Sequence, residues 1–170
     1  QGVAGVELRG DAIALPNGAE LIWLGRGGGT AQSYHGNLYL DEYFWIPRYQ
    51  ELRKVASGMA SQKRWRQTYF STPSAKSHEA FPFWTGTLYN RGRAKAEHIN
   101  LDVSHAALKN GRLCEDGQWR QIITLLDAEA SGCDLFDIEQ LRREYSPDEF
   151  SQLFLCNFID DGASVFPFAL

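Results

Sequence analysis

Cysteine, methionine and long apolar runs are all scarce in this chain of 170 residues. Its three cysteines are odd in number and show no CxxC spacing, so they predict neither a disulfide framework nor a paired zinc site. We therefore expect a reducing, intracellular setting. No apolar run approaches the roughly 20 residues that a membrane span needs, so we expect a soluble protein. The only methionine is Met59, and we expect an internal fragment of a longer protein.

Positive charge is also limited, and it is unevenly distributed. The net charge of -4 excludes a broad cationic field for nonspecific nucleic-acid binding. Residues 48–66, however, contain six basic residues and only one acid. This stretch is the best candidate contact to DNA or to a neighbouring subunit. Its candidate residues are Arg48, Arg53, Lys54, Arg64 and Arg66. Between residues 127 and 161, ten acids face two arginines, which is typical of a solvated helical surface. Solvent-facing helix sides could account for the basic run as well.

The hydrophobic content of 44% is enough for one folded domain, and the order of elements predicts an α/β protein. Asn17-Gly18 between two apolar runs predicts a β-hairpin. The apolar run 37–40 predicts a buried strand, three- and four-residue spacing predicts a helix over 47–60 with Pro47 in its first turn, and alternation predicts a strand over 66–70. Strand, helix, strand is the unit of a parallel sheet.

The C-terminal part is predicted to be mainly helical. Residues 81–86 are interpreted as an aromatic-rich loop, and residues 98–103 as a further strand. Thr124, Asp137 and Ser146 each precede an acidic or amide residue by three positions, the pattern that starts a helix with a capping box. We therefore expect two or three short helices, with Gly132 closing the first.

An acidic pair at the end of a strand is the most specific chemical pattern. Leu38-Tyr-Leu-Asp41-Glu42 is an apolar strand that delivers two adjacent carboxylates at its carboxyl end, where ligands bind in open α/β sheets. This has the form of a Walker B motif, in which the aspartate holds Mg²⁺ and a following glutamate can activate water. The alternative is an exposed Asp-Glu at an ordinary strand end.

Hydroxyl residues follow the next predicted strand. If that strand lies beside the Asp41 strand, Ser71 and Thr72 would face the phosphate site and could report the γ-phosphate. The alternative is a simple turn before Pro73.

Two other patterns are weaker. Gly25–Thr30 follows a strand but lacks the GKS or GKT ending of a phosphate loop, so we interpret it as a surface loop that presents Arg26. The acids Asp102, Asp160 and Asp161 could form a two-metal nuclease cluster, but nothing in the sequence fixes their distances.

Several longer strings carry a family resemblance. They are Thr30-Ala-Gln-Ser33, Gly36-Asn-Leu-Tyr-Leu-Asp-Glu-Tyr-Phe-Trp-Ile-Pro47, Leu52-Arg-Lys-Val-Ala-Ser-Gly-Met-Ala-Ser61, Tyr69-Phe-Ser-Thr-Pro-Ser74, Phe81-Pro-Phe-Trp84, Tyr89-Asn-Arg-Gly-Arg93, Cys114-Glu-Asp-Gly-Gln-Trp-Arg-Gln121 and Asp160-Asp-Gly-Ala-Ser-Val-Phe-Pro-Phe168. Together they resemble the large terminase subunit of tailed phages and prophages, in its GpP-like ATPase branch. The resemblance covers nearly the whole chain.

This resemblance implies an ATP hydrolase that uses Mg²⁺ and drives DNA into a procapsid. By motif, Asp41 would hold Mg²⁺ via water and contribute to the cofactor site, Glu42 would be the catalytic glutamate, and Ser71-Thr72 would be the coupling motif. The implied partners are double-stranded DNA, the small terminase subunit, the portal protein and further copies of the same subunit, with no membrane. The implied location is the host cytoplasm, at the portal vertex.

The sequence departs from a complete member of that family. No Walker A lysine motif lies between Gln1 and Leu38, so we expect the fragment alone to be inactive. The predicted fold is a partial P-loop NTPase sheet of the ASCE type without its Walker A unit over residues 1–95, then a small helical subdomain over 96–160. Residues 161–170 would begin a linker toward a nuclease domain outside the chain. The alternative function is a non-catalytic interaction module derived from an eroded ATPase.

Overall fold

The computed structural model describes residues 7–9, 12–23 and 34–161, with only the backbone for the first range. Within these ranges the chain is mixed α/β with three small sheets. It divides into two compact units, residues 1–38 with 51–68 and residues 39–50 with 69–170. The predicted subdomain boundary near residue 95 falls inside the second unit and stays a prediction about the longer protein. Gly25–Thr30, with Arg26, lies outside the described residues.

The strands are short and the helices occupy mainly the C-terminal part. The strands are β1 (Glu7–Arg9), β2 (Ala12–Ala14), β3 (Glu20–Ile22), β4 (Leu38–Asp41), β5 (Gln67–Phe70), β6 (Arg112–Leu113) and β7 (Trp119–Arg120). The helices are α1 (Tyr49–Met59), α2 (Phe81–Trp84), α3 (His105–Leu108), α4 (Leu125–Ala130), α5 (Ile138–Glu144) and α6 (Pro147–Leu155). Among the helices of the described ranges, none is long and apolar enough to cross a membrane.

The predicted N-terminal hairpin is confirmed. Strands β2 and β3 pair antiparallel, with Ile13 opposite Leu21, and β1 adds a third strand on the other side of β2. Gly18 adopts the left-handed φ of 79° that the turn requires, and the Asn17 side chain accepts a hydrogen bond from the N–H of Ala19 at 3.1 Å.

Strands β4 and β5, which α1 connects in the sequence, pair in parallel, as the sequence predicts. The N–H of Leu38 donates to the carbonyl of Arg66 and that of Glu42 to the carbonyl of Phe70, each at 2.8 Å. Because the acceptor advances by as many residues as the donor, the strands run in the same direction. In the first unit, Leu38 packs with Ala56 of α1, with Ala60 just after that helix, and with Trp65.

The predicted start of α1 is wrong by two residues. Pro47 lies in a turn outside the helix, because Arg48 adopts a left-handed backbone with φ of 53°. A left-handed residue cannot continue a right-handed helix, so α1 begins at Tyr49.

The second unit is built on an aromatic core. Its buried members are Tyr43, Phe44, Tyr49, Ala80 and Phe83. The predicted loop at residues 81–86 is wrong for its first four residues, which form the short helix α2 with Pro82 in its first turn. Proline fits there because a first-turn N–H has no helical acceptor.

The strand predicted over residues 98–103 is also wrong. The backbone N–H and C=O of Ile99 bond to the side-chain amide of Asn90, each at 2.8 Å. The amide therefore supplies the hydrogen bonds that a neighbouring strand would have supplied. Leu101 still reaches an apolar cluster, with Leu108 and Cys114.

A small hairpin, β6–β7, carries a buried ion pair that the sequence did not reveal. The Arg120 guanidinium binds both carboxylate oxygens of Asp116 at 2.7 and 2.6 Å, and both side chains are only 3% exposed. It also donates to the carbonyls of Phe83 and Trp84 at 3.0 and 2.8 Å. These bonds attach the hairpin to α2.

All three predicted helix starts are confirmed. The side chains of Thr124, Asp137 and Ser146 accept hydrogen bonds from the third residue of α4, α5 and α6, respectively. Gly132 follows Ser131, the C-cap of α4, with a left-handed φ of 95°, as expected of a closing glycine.

Candidate active site

The two carboxylates at the end of β4 are exposed and lie on differently directed backbone. Tyr39 and Asp41 are exposed on one face of β4, whereas Leu38 and Leu40 are turned toward apolar clusters. Glu42 then leaves the strand with a left-handed backbone, φ 51° and ψ 40°. Such a conformation is unfavourable for a non-glycine residue and is concentrated at functional sites.

The end of β5 brings two hydroxyl residues to the Glu42 carboxylate. Its Oε2 atom accepts from the Ser71 hydroxyl at 3.0 Å, from the Thr72 hydroxyl at 3.2 Å and from the Thr72 N–H at 3.3 Å. The other oxygen, Oε1, makes no hydrogen bond to the described residues. One oxygen is therefore anchored, whereas the other is not bonded to the described residues, and Glu42 as a whole is exposed.

The hydroxyl pair is itself held by the turn that follows Glu42. The Phe44 N–H donates to the Ser71 hydroxyl at 3.3 Å, and the Trp45 indole N–H donates to the Thr72 hydroxyl at 2.9 Å. Trp45 was not among the residues singled out from the sequence. Its signal would have been an aromatic residue three positions after the acidic pair, which is too common to be specific.

Buried aromatic rings pack against this turn. The Tyr43 ring lies 4.4 Å from that of Phe44 and 5.9 Å from that of Tyr69, the residue two positions before Ser71. Burial raises the pKa of the Tyr43 phenol above its ordinary value, so the phenol stays neutral. The turn after Glu42 is therefore packed against buried, uncharged aromatic rings.

The segment after Thr72 is anchored to the C-terminal part of the same unit. The buried Gln152 side chain on α6 donates to the carbonyl of Pro73 at 2.9 Å. Ile159 then forms a parallel bridge with Ala75, and Lys76 binds Asp160 at 2.7 Å. The hydroxyl pair is thus connected through a few residues to α6 and to the chain that follows it.

Asp41 fits a magnesium ligand by its chemistry and its access. Its carboxylate is exposed and has no hydrogen bond or ion pair to the described residues. Mg²⁺ prefers oxygen ligands and is commonly bound by one or two carboxylates together with substrate phosphates and water. In the described ranges no three histidines, cysteines or acids come together, so the protein alone does not form a complete cage there.

The alternative nuclease cluster is not formed in the described part of the chain. Asp160 is paired with Lys76, Asp161 binds the Ser77 hydroxyl, and Asp102 accepts from the N–H of Ser104 at 2.9 Å. Each of these acids therefore binds a different partner, and they do not form a shared metal site among the described residues.

The candidate DNA-contacting residues divide between the two units. Arg48 precedes α1 in the second unit, whereas the other four belong to the first. Arg53 and Lys54 lie on α1, with Arg53 half-buried, and the exposed Arg64 stacks on Trp65 at 4.5 Å. Arg66 is exposed, and its backbone pairs with Leu38.

Comparison with known proteins identifies the family of the chain. Residues 3–170 match the family model "Terminase large subunit, T4likevirus-type, N-terminal". The chain is 64% identical over 165 residues to the "Terminase, ATPase subunit" of Escherichia phage P2, covering 96% of this chain and 28% of that protein. It is 46% identical over 163 residues to the "Probable terminase, ATPase subunit" of Haemophilus phage HP1 (strain HP1c1), covering 95% of this chain and 27% of that protein.

The chain thus spans just over a quarter of the length of these two relatives. No solved structure matches it. The family model and both relatives each cover nearly the whole sequence. The resemblance seen in the sequence is confirmed: this chain belongs to the terminase large-subunit family and corresponds to part of that subunit's N-terminal region.

Proposed function

We propose that this chain carries the Walker B acids and the coupling motif of an ATPase that packages viral DNA. The observation that carries the proposal is the state of Glu42, an exposed carboxylate at a strand end with one oxygen anchored by Ser71 and Thr72 and the other open. A catalytic base needs this combination of fixed position and free access.

Glu42 would act as the general base that takes a proton from the attacking water. Its hydrogen-bond donors in the described residues, two hydroxyls and one backbone N–H, are all neutral. A base held in this way contributes about 10²- to 10⁴-fold to a rate.

Asp41 would hold Mg²⁺, through a bound water, beside the nucleotide phosphates. Bound magnesium supplies positive charge that balances the phosphate oxygens. Asp41 and Glu42 differ in their surroundings, since only Glu42 is bound to the hydroxyl pair. This difference supports separate roles for the two acids.

Ser71 and Thr72 would couple hydrolysis to movement. They touch Glu42 on one side, and the next residues along the chain are bonded to α6 and to residues 159 and 160 on the other. A change at the phosphate site that displaces Glu42 would therefore also displace the C-terminal part of the second unit, through these contacts.

The whole protein would be the ATPase subunit of a terminase that moves double-stranded DNA into the procapsid. It would have a P-loop core of the ASCE type, a small helical subdomain over residues 96–160 and a nuclease domain beyond a linker that starts at residues 161–170. It would act as an oligomer in the host cytoplasm at the portal vertex, with the small subunit and the portal protein as partners. The basic residues Arg48, Arg53, Lys54, Arg64 and Arg66 would contact DNA or a neighbouring subunit. The 170-residue chain alone would not hydrolyse ATP.

The test is ATP hydrolysis by the full-length protein and its variants. Glu42→Gln and Asp41→Asn should each lower kcat by at least about 100-fold, because each removes a charge needed for the reaction but keeps the side-chain shape. Phosphate release at saturating Mg²⁺ and ATP measures the effect. Asp137→Asn, a cap residue of α5, is the matched control and should keep the wild-type rate.

Wild-type turnover by either site variant would remove the assignment. Circular dichroism and the unfolding midpoint must match those of the unsubstituted protein, so that lost activity is not lost fold. If the unsubstituted full-length protein itself failed to hydrolyse ATP, a non-catalytic interaction module would be the better account.

A further inference from the structure

Trp45 is a large aromatic residue that faces the site instead of the core. It is 48% exposed, at the end of the short 3-10 turn Tyr43–Trp45 that follows Glu42. The two preceding residues, Tyr43 and Phe44, are buried in the aromatic core and fix this turn. The indole N–H of Trp45 lies 2.9 Å from the Thr72 hydroxyl oxygen.

The chemistry of the two groups determines the direction of these hydrogen bonds. An indole N–H can only donate, so the Thr72 oxygen is the acceptor. The hydroxyl hydrogen of Thr72 must then point elsewhere, and the Glu42 Oε2 atom at 3.2 Å is its acceptor. Donation therefore runs in one direction, from Trp45 to Thr72 to Glu42.

The second hydroxyl at the site is less strictly directed. The Ser71 oxygen lies 3.0 Å from Glu42 Oε2 but 2.7 Å from the carbonyl of Thr72, and its single hydrogen can serve only one of them at a time. The Thr72 hydroxyl is thus the side-chain group whose hydrogen is directed to Glu42. It has this direction because its oxygen accepts from the Trp45 indole.

We propose that Trp45 is a positioning residue for the catalytic glutamate. By orienting the Thr72 hydroxyl it fixes the Oε2 atom of Glu42 and leaves Oε1 to accept the proton of the attacking water. The inference rests on the function proposed above and adds to it a residue outside the Walker B and coupling motifs. Trp45 contacts neither nucleotide nor water in this role, and acts only through Thr72.

The experiment uses the full-length protein with Trp45→Phe, which removes the N–H and keeps an aromatic ring. Losing one directed hydrogen bond should lower kcat by about 10-fold and leave KM for ATP within about twofold, because the base is mispositioned but the nucleotide site is intact. Trp119→Phe is the matched control. Trp119 is 61% exposed on β7, and its variant should retain the wild-type kcat.

A double-variant comparison separates positioning from a general structural effect. If Trp45 acts through Thr72, then Thr72→Val with Trp45→Phe should be no slower than Thr72→Val alone. Thr72→Ser, which keeps the hydroxyl, should retain most of the kcat and should remain sensitive to Trp45→Phe. Trp45→Leu removes the donor with a different shape, so it provides the same test if the phenylalanine variant folds poorly.

Several results would overturn the inference. A wild-type kcat in both Trp45 variants, a raised KM with unchanged kcat, or multiplicative losses in the double variant would each do so. If Glu42→Gln is inactive while Trp45→Phe is fully active, only this inference fails. If Glu42→Gln is active, the proposed function itself fails.

Discussion

Two carboxylates in the second unit are held by several donors, yet their surroundings are opposite. Asp116, in the β6–β7 hairpin, is 3% exposed and binds the guanidinium of Arg120 through both oxygens. Glu42, at the end of β4, is exposed and binds only hydroxyls and an N–H through one oxygen. The first charge is cancelled and used for structure. The Glu42 carboxylate is exposed and bonded to neutral donors, as a general base must be accessible to its substrate.

Capping boxes show that the donor set at Glu42 is not unusual by itself. Asp127 and Glu149 each accept from the N–H and hydroxyl of a Thr or Ser three residues earlier. Glu42 uses the same pair of groups on Thr72, 30 residues away. In the caps the arrangement closes a helix end. The Glu42 side chain does not cap the 3-10 turn that follows it, and its bonds instead connect the end of β4 to the end of β5.

The largest expected effect tests the contrast between Asp116 and Glu42 directly. Asp116→Asn should lower the free energy of unfolding by about 3 to 5 kcal/mol, because it leaves the buried Arg120 charge without compensation. Glu42→Gln should change it by no more than about 0.5 kcal/mol, since Glu42 is exposed. Urea unfolding of the two variants in parallel measures the difference.

The control for this prediction removes both charges. Asp116→Leu with Arg120→Met should be more stable than Asp116→Asn alone, because no buried charge remains unpaired. Equal stability of Asp116→Asn and Glu42→Gln would mean that the two carboxylates do not differ as described.

A smaller effect is expected at the caps. Ser146→Ala removes the hydroxyl that accepts from the Glu149 N–H, and it should cost about 1 kcal/mol of unfolding free energy. Ser61→Ala, at an exposed position before β5, is the control and should be close to neutral. A neutral Ser146→Ala, measured by urea unfolding, would show that the box does not stabilise α6.

The smallest effect concerns pH. Hydrogen bonds from the Thr124 hydroxyl and N–H, with a smaller contribution from His105, lower the pKa of Asp127 from 3.8 to about 2. A depressed carboxyl pKa contributes stability above the unfolded value, and that contribution is lost as the pH falls from about 4 to about 2. Asp127→Asn should therefore show a shallower loss of the unfolding midpoint over this interval. An unchanged slope would exclude Asp127 as a contributor.

The outcomes along the chain separate short-range from long-range information. The hairpin at Asn17-Gly18 and the starts of α4, α5 and α6 were predictable because each depends on contacts within four residues. The strand predicted over 98–103 failed because its hydrogen-bond partner is the Asn90 side chain, which no periodicity reveals. The loop predicted at residues 81–86 failed because aromatic burial favoured a helical turn.

The candidate site was predictable in part. An acidic pair after an apolar strand, and a hydroxyl pair after the next strand, could be recognised from residue types and spacing. That the two pairs meet, and that Trp45 directs one hydroxyl, depended on how β4 and β5 align. The roles of these residues in hydrolysis stay predictions.

By itself, the amino-acid sequence determined the local elements and the family to which the chain belongs, because caps, turns and motif strings are written in neighbouring residues. Tertiary structure alone decided which carboxylate is buried against Arg120 and which oxygen of Glu42 is anchored. The physical reason is distance along the chain: the groups that meet at Glu42 are about 30 residues apart, and only the packed aromatic core and the parallel pairing bring them together.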